Sequence, residues 1–308
     1  MKSAPPATQD FLRRTALLPA MTAEMAQRLT GREDAEAILE DLYRRGVFTD
    51  RRNTRPAVYQ YHDLFRTFLR EQLESTLAPP DLAQAQQHAA TLLEEAGQPA
   101  HAIRLYLRTG DGAAAKRVIL QAAPALVAQG RGAALHEWIA ALPAQVAEGD
   151  PWLDYWLGAA SSRLAPTSAR VALERAFAIF ESREDIIGQR VVCGEIILTY
   201  MYEFAILHPL DRWIDESLRL LADTRPFPSP LHELGARTAC LFALSFHRPD
   251  DGPVERCIER VLALLVLEIP PELAVVASGV LLLHLYAVGD MAACARIATR
   301  QRALMESA

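Results

Sequence analysis

Cysteine is scarce and scattered. Cys193, Cys240, Cys257 and Cys294 are the four present, they lie far apart, and none forms a CxxC pair, so neither a disulfide framework nor a zinc site organises the chain. They are expected as reduced, small core residues. Long apolar runs are also missing: the greasiest stretch, Leu273 to Val288, is 16 residues long and holds Ser278 and His284, and the N-terminus has Lys2 but no apolar signal core. Neither a membrane-spanning helix nor a secretory leader is expected, and the chain reads as cytoplasmic. Positive charge is not in excess, since 32 Lys and Arg stand against 38 Asp and Glu for a formal net charge of −6. The whole molecule would therefore not attract nucleic acid. What is abundant is apolar: 51% of the 308 residues are hydrophobic, enough for one large or two ordinary folded domains and too much for a disordered tail.

The first quarter has its own pattern. Met1 to Thr8 shows no periodicity and reads as an irregular lead. Phe11, Leu12, Leu17 and Leu18 predict a short helix ending before Pro19. Thr22 is placed to cap a second helix whose inner face is Met25, Ala26 and Leu29 and whose stop is Gly31. A third, from about Asp34 to Arg45, turns Ala35, Ile38, Leu39 and Leu42 to one core and ends at Gly46. Val47 to Thr49, an arginine-rich turn from Asp50 to Pro56 and Val58 to His62 follow as a two-stranded wing, so the order is that of a winged helix. Asp34, Glu36, Glu40 and Asp41 outweigh Arg44 and Arg45 on the third helix, which would be repelled by DNA phosphates and is read as structural. Arg51, Arg52 and Arg55 cluster on the wing. They are either a solubilising loop tip or a contact for an anionic partner or nucleotide.

The stretch from Tyr59 to Arg70 joins that wing to a new helix. Tyr59 and Tyr61 alternate with Gln60 and His62 at the period of a half-buried strand. Leu64, Phe65, Phe68 and Leu69 then take helical spacing, and Asp63 can cap the helix with its carboxylate. His62 is thereby held beside the positive end of a helix, a place suited to an anion.

On these residues, together with Phe11-Leu12-Arg13-Arg14-Thr15 and Leu39 to Phe48, the segment Phe11 to Leu73 resembles the winged-helix module of the maltose-activator (MalT-type) family. These are large ATP-dependent, LuxR-type transcriptional regulators of the signal-transduction ATPase (STAND) class. The resemblance implies that Tyr61-His62-Asp63 stands where that class has a Met-His-Asp signature, whose histidine touches the phosphates of bound ADP; Tyr61 replaces the methionine. No GxxxxGK[ST] stretch occurs in the sequence and no basic helix-turn-helix follows the helical region, so both the ATPase and the DNA-binding domain are missing. No cofactor is expected, and ATP or ADP enters only with an ATPase domain supplied elsewhere. The other reading of His62 is a junction histidine packed under the wing.

Leu77-Ala78-Pro79-Pro80 breaks the pattern and sets the boundary between a module of residues 1–77 and a second domain of residues 78–308. Beyond it only helical periodicity remains. Gly110-Asp111 followed by Ala115, Ile119 and Ala122 has the spacing of a tetratricopeptide turn, small, large and small residue. Gly97 with Ala102 and Tyr106, Gly289-Asp290 with Cys294 and Ala298, and Leu157-Gly158 with Ala169, Leu173 and Ala176 repeat parts of it. Small residues let the two helices of a hairpin approach, and a hairpin cannot bury its apolar face alone, so hairpins must stack. Six are expected, beginning near Leu82, Asp111, Pro151, Asp185, Pro230 and Pro271. The fold class is mostly α, a winged-helix-like module followed by a tetratricopeptide-like superhelix.

No catalytic set stands out. The remaining histidines are scattered without HExxH or metal-ligand spacing, and the serines lack a nucleophile elbow. Trp152 and Trp156 at i,i+4, with Tyr155, and Tyr200 with Tyr202 and Phe204, either close the joints between hairpins or form an aromatic ledge that binds a peptide or small effector. The expected role is a non-catalytic sensing and scaffold region of a bacterial transcriptional regulator, binding an effector small molecule or a protein in the superhelix groove. Direct DNA binding and membrane contact are not expected, and homo-oligomerisation stays open. The alternatives are a free-standing tetratricopeptide-type adaptor and a helical enzyme with an unrecognised site.

Overall fold

The computed structural model describes residues 5–203, 208–248, 253–267 and 269–307. The chain divides into two compact units, residues 1–124 with 137–147 and residues 125–136 with 148–308. Phe204 lies outside the described residues.

The first unit opens with three helices, α1 (Pro6–Thr15), α2 (Ala23–Thr30) and α3 (Ala35–Arg44), then β1 (Thr49–Arg52), β2 (Val58–Tyr61) and α4 (Asp63–Thr76). α1 starts earlier than its apolar residues suggest, inside the expected irregular lead, because Pro6 fits a first helical turn whose N–H needs no partner. It stops at Thr15, so Leu17 and Leu18 are buried from the turn that follows, at 4% and 0% exposure. Thr22 caps α2 as expected, its hydroxyl accepting from the Met25 N–H at 3.2 Å, and Gly31 leaves the helix at φ +72°. The two strands pair antiparallel, with Thr49 opposite Tyr61 and Arg52 opposite Val58. β2 alternates as predicted, with Tyr59 and Tyr61 buried. Tyr59 also exchanges both backbone hydrogen bonds with Met21, which ties the wing to the turn between α1 and α2.

α4 ends before the Pro79-Pro80 break, and α5 (Pro79–Glu95) and α6 (Pro99–Arg108) form the first hairpin. Arg28 of α2 pairs with Glu95 of α5 at 2.7 Å, and the Gln98 amide donates to the Ala20 carbonyl at 3.3 Å. The winged helix is thus packed directly on the first hairpin. α7 (Gly112–Ala128), α8 (Gly132–Ala140) and the short α9 (Ala144–Ala147) follow, and residues of α7 and α8 are shared between the two units.

The second unit is built on hairpins: α10 (Pro151–Ser161) with α11 (Pro166–Ser182), α12 (Ile186–Glu203) with α13 (Leu210–Ala222), α14 (Pro230–His247) with α15 (Val254–Leu264), and α16 (Pro271–Ala287) with α17 (Met291–Ser307). α12 packs on α14, and α14 on α16, so the leading helices of successive hairpins stack. Proline and acid-capped starts set the phase, as at α10, where Asp150 accepts from the Trp152 and Leu153 N–H groups. The core runs continuously from Tyr155 and Leu173 through Phe177, Trp213 and Phe242 to Leu281. Each such side chain contributes about 1.5–3 kcal/mol on full burial. Arg190 is buried inside it at 2% exposure and donates to the carbonyls of Leu220 and Arg225 at 2.9 and 2.6 Å. It thereby satisfies the open end of α13. Cys193, Cys240 and Cys257 are buried and unbridged, and Cys294 is half-buried.

Candidate functional site

The wing and its junction with α4 hold the sequence signature. Residues 46–48 turn the chain from α3 into β1, and Phe48 does so at φ +44°, a conformation that a bulky side chain adopts only with strain of about 1–3 kcal/mol. Its carbonyl accepts from the His62 N–H at 2.9 Å. Its ring, 58% exposed, lies edge-on to the His62 imidazole at 6.1 Å and against Phe65 at 5.4 Å. His62 is not packed under the wing. It occupies the N-cap of α4 without making a capping bond, its side chain is 52% exposed, and Nε2 lies 3.4 Å from Asp50 Oδ2. Asp63 is the first residue of α4, so its carboxylate sits in the first turn and is not the cap.

Tyr61 anchors this junction from beneath. Its hydroxyl shares a 2.8 Å hydrogen bond with Thr15, and burial pushes the phenol well above its ordinary value. Glu40 of α3 fixes the wing from the side. It accepts from Tyr59 at 3.2 Å, pairs with Arg44 at 3.1 Å and lies 3.6 Å from Arg51. Burial, and then the bond to Glu40, raise the pKa of Tyr59. Arg51 is thus drawn back onto α3, over the Tyr43 ring, while Arg52 and Arg55 stay exposed. Beside Phe48, a groove of about 470 Å³ runs between α1 and α3, lined by Leu12, Ile38, Leu42, Val47 and Phe65, with Asp41 and Arg45 at its edge. The residue that sequence reasoning passed over here is Phe48; its signal was a bulky aromatic just after the helix-ending glycine.

The aromatic candidates lie in the second unit. Trp152 stacks edge-on with Phe180 at 5.0 Å, and Trp156 with Tyr155 at 4.8 Å, both tryptophans being half-buried against the core. Tyr200 is 4% exposed, and the Arg170 guanidinium lies 3.6 Å over its ring. Tyr200 therefore contributes to the core and not to an exposed ledge. Among the described residues, no group of three or more His, Cys, Asp or Glu could hold a metal ion. Among the same residues, no helix is long and apolar enough to cross a membrane.

Residues 1–81 match the family model described as MalT winged helix domain. The helices and two-stranded wing described above from Pro6 to Thr76 lie inside that match and form a winged helix. Two relatives named HTH-type transcriptional regulator MalT, from Yersinia enterocolitica and Yersinia pestis, are each 32% identical over 179 residues. That match takes in 56% of this chain and 19% of each relative, so the likeness extends past the winged helix while the chain spans about a fifth of the MalT regulators' length. In three dimensions the chain is similar to a Signal Transduction ATPase with Numerous Domains protein with a tetratricopeptide repeat sensor from Pyrococcus horikoshii. The TM-score is 0.61 at 12% identity, over 99% of this chain and 45% of that one. The fold is therefore a winged helix followed by tetratricopeptide-like hairpins.

Proposed function

We propose that this chain is the sensing and scaffold region of a bacterial MalT-type transcriptional regulator, without catalytic activity of its own. The observation that carries the reading is the unbroken passage from a MalT-type winged helix, through α4, into hairpins of the tetratricopeptide kind, in a segment similar to regulators named for transcription. An effector or partner protein would be held by the hairpins, and its binding would change how the winged helix meets a nucleotide-binding domain. His62 is then the residue that reports on nucleotide, since it stands exposed at the α4 N-terminus where an anion is favoured. The working compartment is the cytoplasm.

Two measurements test this. Calorimetric titration of the chain with ADP and with ATP should give no binding above background, because the phosphate cradle is absent from the sequence. Clear binding that is lost in His62→Ala would place a nucleotide pocket in this chain and overturn that part. Sequencing the surrounding coding region should find a phosphate-binding loop before residue 1 and a helix-turn-helix after residue 308. A gene with neither would replace the regulator by a free-standing adaptor.

A further inference from the structure

Two helices of the first unit present arginines to each other with too few acids between them. Arg66 and Arg70 are one turn apart on α4, and His101, Arg104 and Arg108 share one face of α6. Together with Leu17 and Leu105 these five side chains line a narrow cavity of about 20 Å³, and no carboxylate lines it. It sits beside a wider one of about 220 Å³ that shares Arg70 and Arg108 and adds Thr67, Glu71 and Glu74. Arg66 donates through Nε to the Ala16 carbonyl at 3.1 Å, and Arg108 pairs with Glu74 at 2.6 Å. Arg70 and Arg104 have no hydrogen bond or ion pair among the described residues. Burial, then Arg70 and Arg104, press the Arg66 guanidinium below its ordinary value. His101 is lowered by burial, then by Arg104 and Arg66. Asp63 is the one acid that counters this around Arg66. The fold holds like charges close together, partly out of water, with donors left over.

We propose that this cleft between α4 and α6 is a binding site for a small phosphate monoester. The narrow end has room for about one water-sized group, which suits the tip of a tetrahedral oxyanion and excludes a bulky one. Guanidiniums arriving from two helices match the three terminal oxygens of a phosphate monoester, which point in different directions, whereas a carboxylate offers two oxygens in one plane. A monoester carries about −1.5 to −2 charges at neutral pH, so it offsets more of the repulsion than chloride or a carboxylate. In the wider end, Glu71, Glu74 and Thr67 offer acceptors to hydroxyl or amine groups on the remainder of the ligand. Duplex nucleic acid is disfavoured by the net charge of −6. The site owes nothing to the regulatory reading, since it rests on α4, α6 and their side chains alone.

The test is a titration of the chain with sodium phosphate and with glycerol 3-phosphate at constant ionic strength, read by melting temperature and by calorimetry. Both anions should raise the melting temperature while chloride at matched ionic strength does not, and the monoester should bind at least as tightly as phosphate. Arg70→Gln with Arg104→Gln should weaken binding at least about tenfold, given that each charge-assisted bond contributes roughly 1.5–3 kcal/mol. Arg104→Gln by itself, without ligand, should melt at or above the wild-type temperature, because it relieves repulsion in an empty site. Far-UV circular dichroism checks that the variants remain folded. An equal rise with chloride, a full phosphate effect persisting in the double variant, or phosphate binding without monoester binding would each overturn the assignment.

Discussion

Glu195 is the residue whose chemistry conflicts most with its surroundings. The residue as a whole is half-buried on α12, but its carboxyl is enclosed beside Ser162, and that burial raises its pKa more than Ser162 and Arg163 lower it. The fold therefore binds a proton that the unfolded chain, with a carboxyl near pH 4.3, has released. Its contribution is fully present below the unfolded pKa and is lost as the pH rises toward the folded value. Glu195→Gln should accordingly raise the melting temperature at pH 7 to 8 and leave it nearly unchanged near pH 4. Melting curves recorded across that range decide it, and a variant that loses stability at neutral pH would mean the carboxylate is held ionised. Nothing in the sequence around Glu195 announces this, because Ser162 and Arg163, which act on it, come from the turn after α10. The same reason hid the basic cleft: Arg66 and Arg104 are ordinary surface residues until α6 is laid beside α4. Thr22 and Gly31 were legible because a cap and a helix exit are settled within a few residues.

At the scale of elements, the hairpins depend on how closely paired helices approach. Gly158, which with Leu157 belongs to the repeat pattern, lies inside α10. A Cβ there would come within 2.5 Å of Leu173 Cγ and 3.1 Å of the Ala169 carbonyl, two of the three residues that the repeat spacing singles out. The small residue belongs to the packing of α10 on α11, as the close approach of two helices in a hairpin requires. Gly158→Ala should destabilise the chain by about 1–3 kcal/mol through overpacking, more than the roughly 1 kcal/mol that alanine returns to a helix interior. Gly235 supplies the control, since it is also helical, on α14, and a Cβ there meets nothing within 4 Å. Gly235→Ala should therefore stabilise by up to about 1 kcal/mol. Urea denaturation of both variants distinguishes close packing from propensity, and equal shifts of one sign would refute the contrast. Hairpin starts were legible: Pro151, Pro230 and Pro271 open α10, α14 and α16 at the expected residues, and Pro79, Gly112 and Ile186 open three others within a few positions. Proline fixes the backbone of a first turn locally, whereas the distance between two helices is decided by both.

At the scale of the whole molecule, charge tests whether a winged helix implies DNA binding. The formal net charge is −6, and α3, the helix that would enter a major groove, has spent its positive groups internally. Arg44 is paired with Glu40 and Arg45 with Asp41, each at 3.1 Å. Glu40 also holds Tyr59 and draws in Arg51, so α3 serves to fasten the wing. That leaves Arg52 and Arg55 exposed on the hairpin as candidate phosphate contacts. With two such contacts, the logarithm of affinity would fall against the logarithm of salt with a slope near −2. That is far short of the roughly 6–10 contacts typical of proteins that hold duplex DNA strongly. A gel-shift titration with mixed-sequence duplex at about 50 mM salt should therefore show free DNA throughout. The decisive comparison adds Arg52→Ala with Arg55→Ala and, separately, Arg44→Ala with Arg45→Ala. If a shift does occur and the α3 pair abolishes it with sequence preference, α3 is a recognition helix and its acids are not the barrier inferred from them. If only the wing pair matters and the effect vanishes by about 150 mM salt, the contact is non-specific attraction to a loop tip, and the winged helix keeps its place as the mechanical link between wing, α4 and the first hairpin.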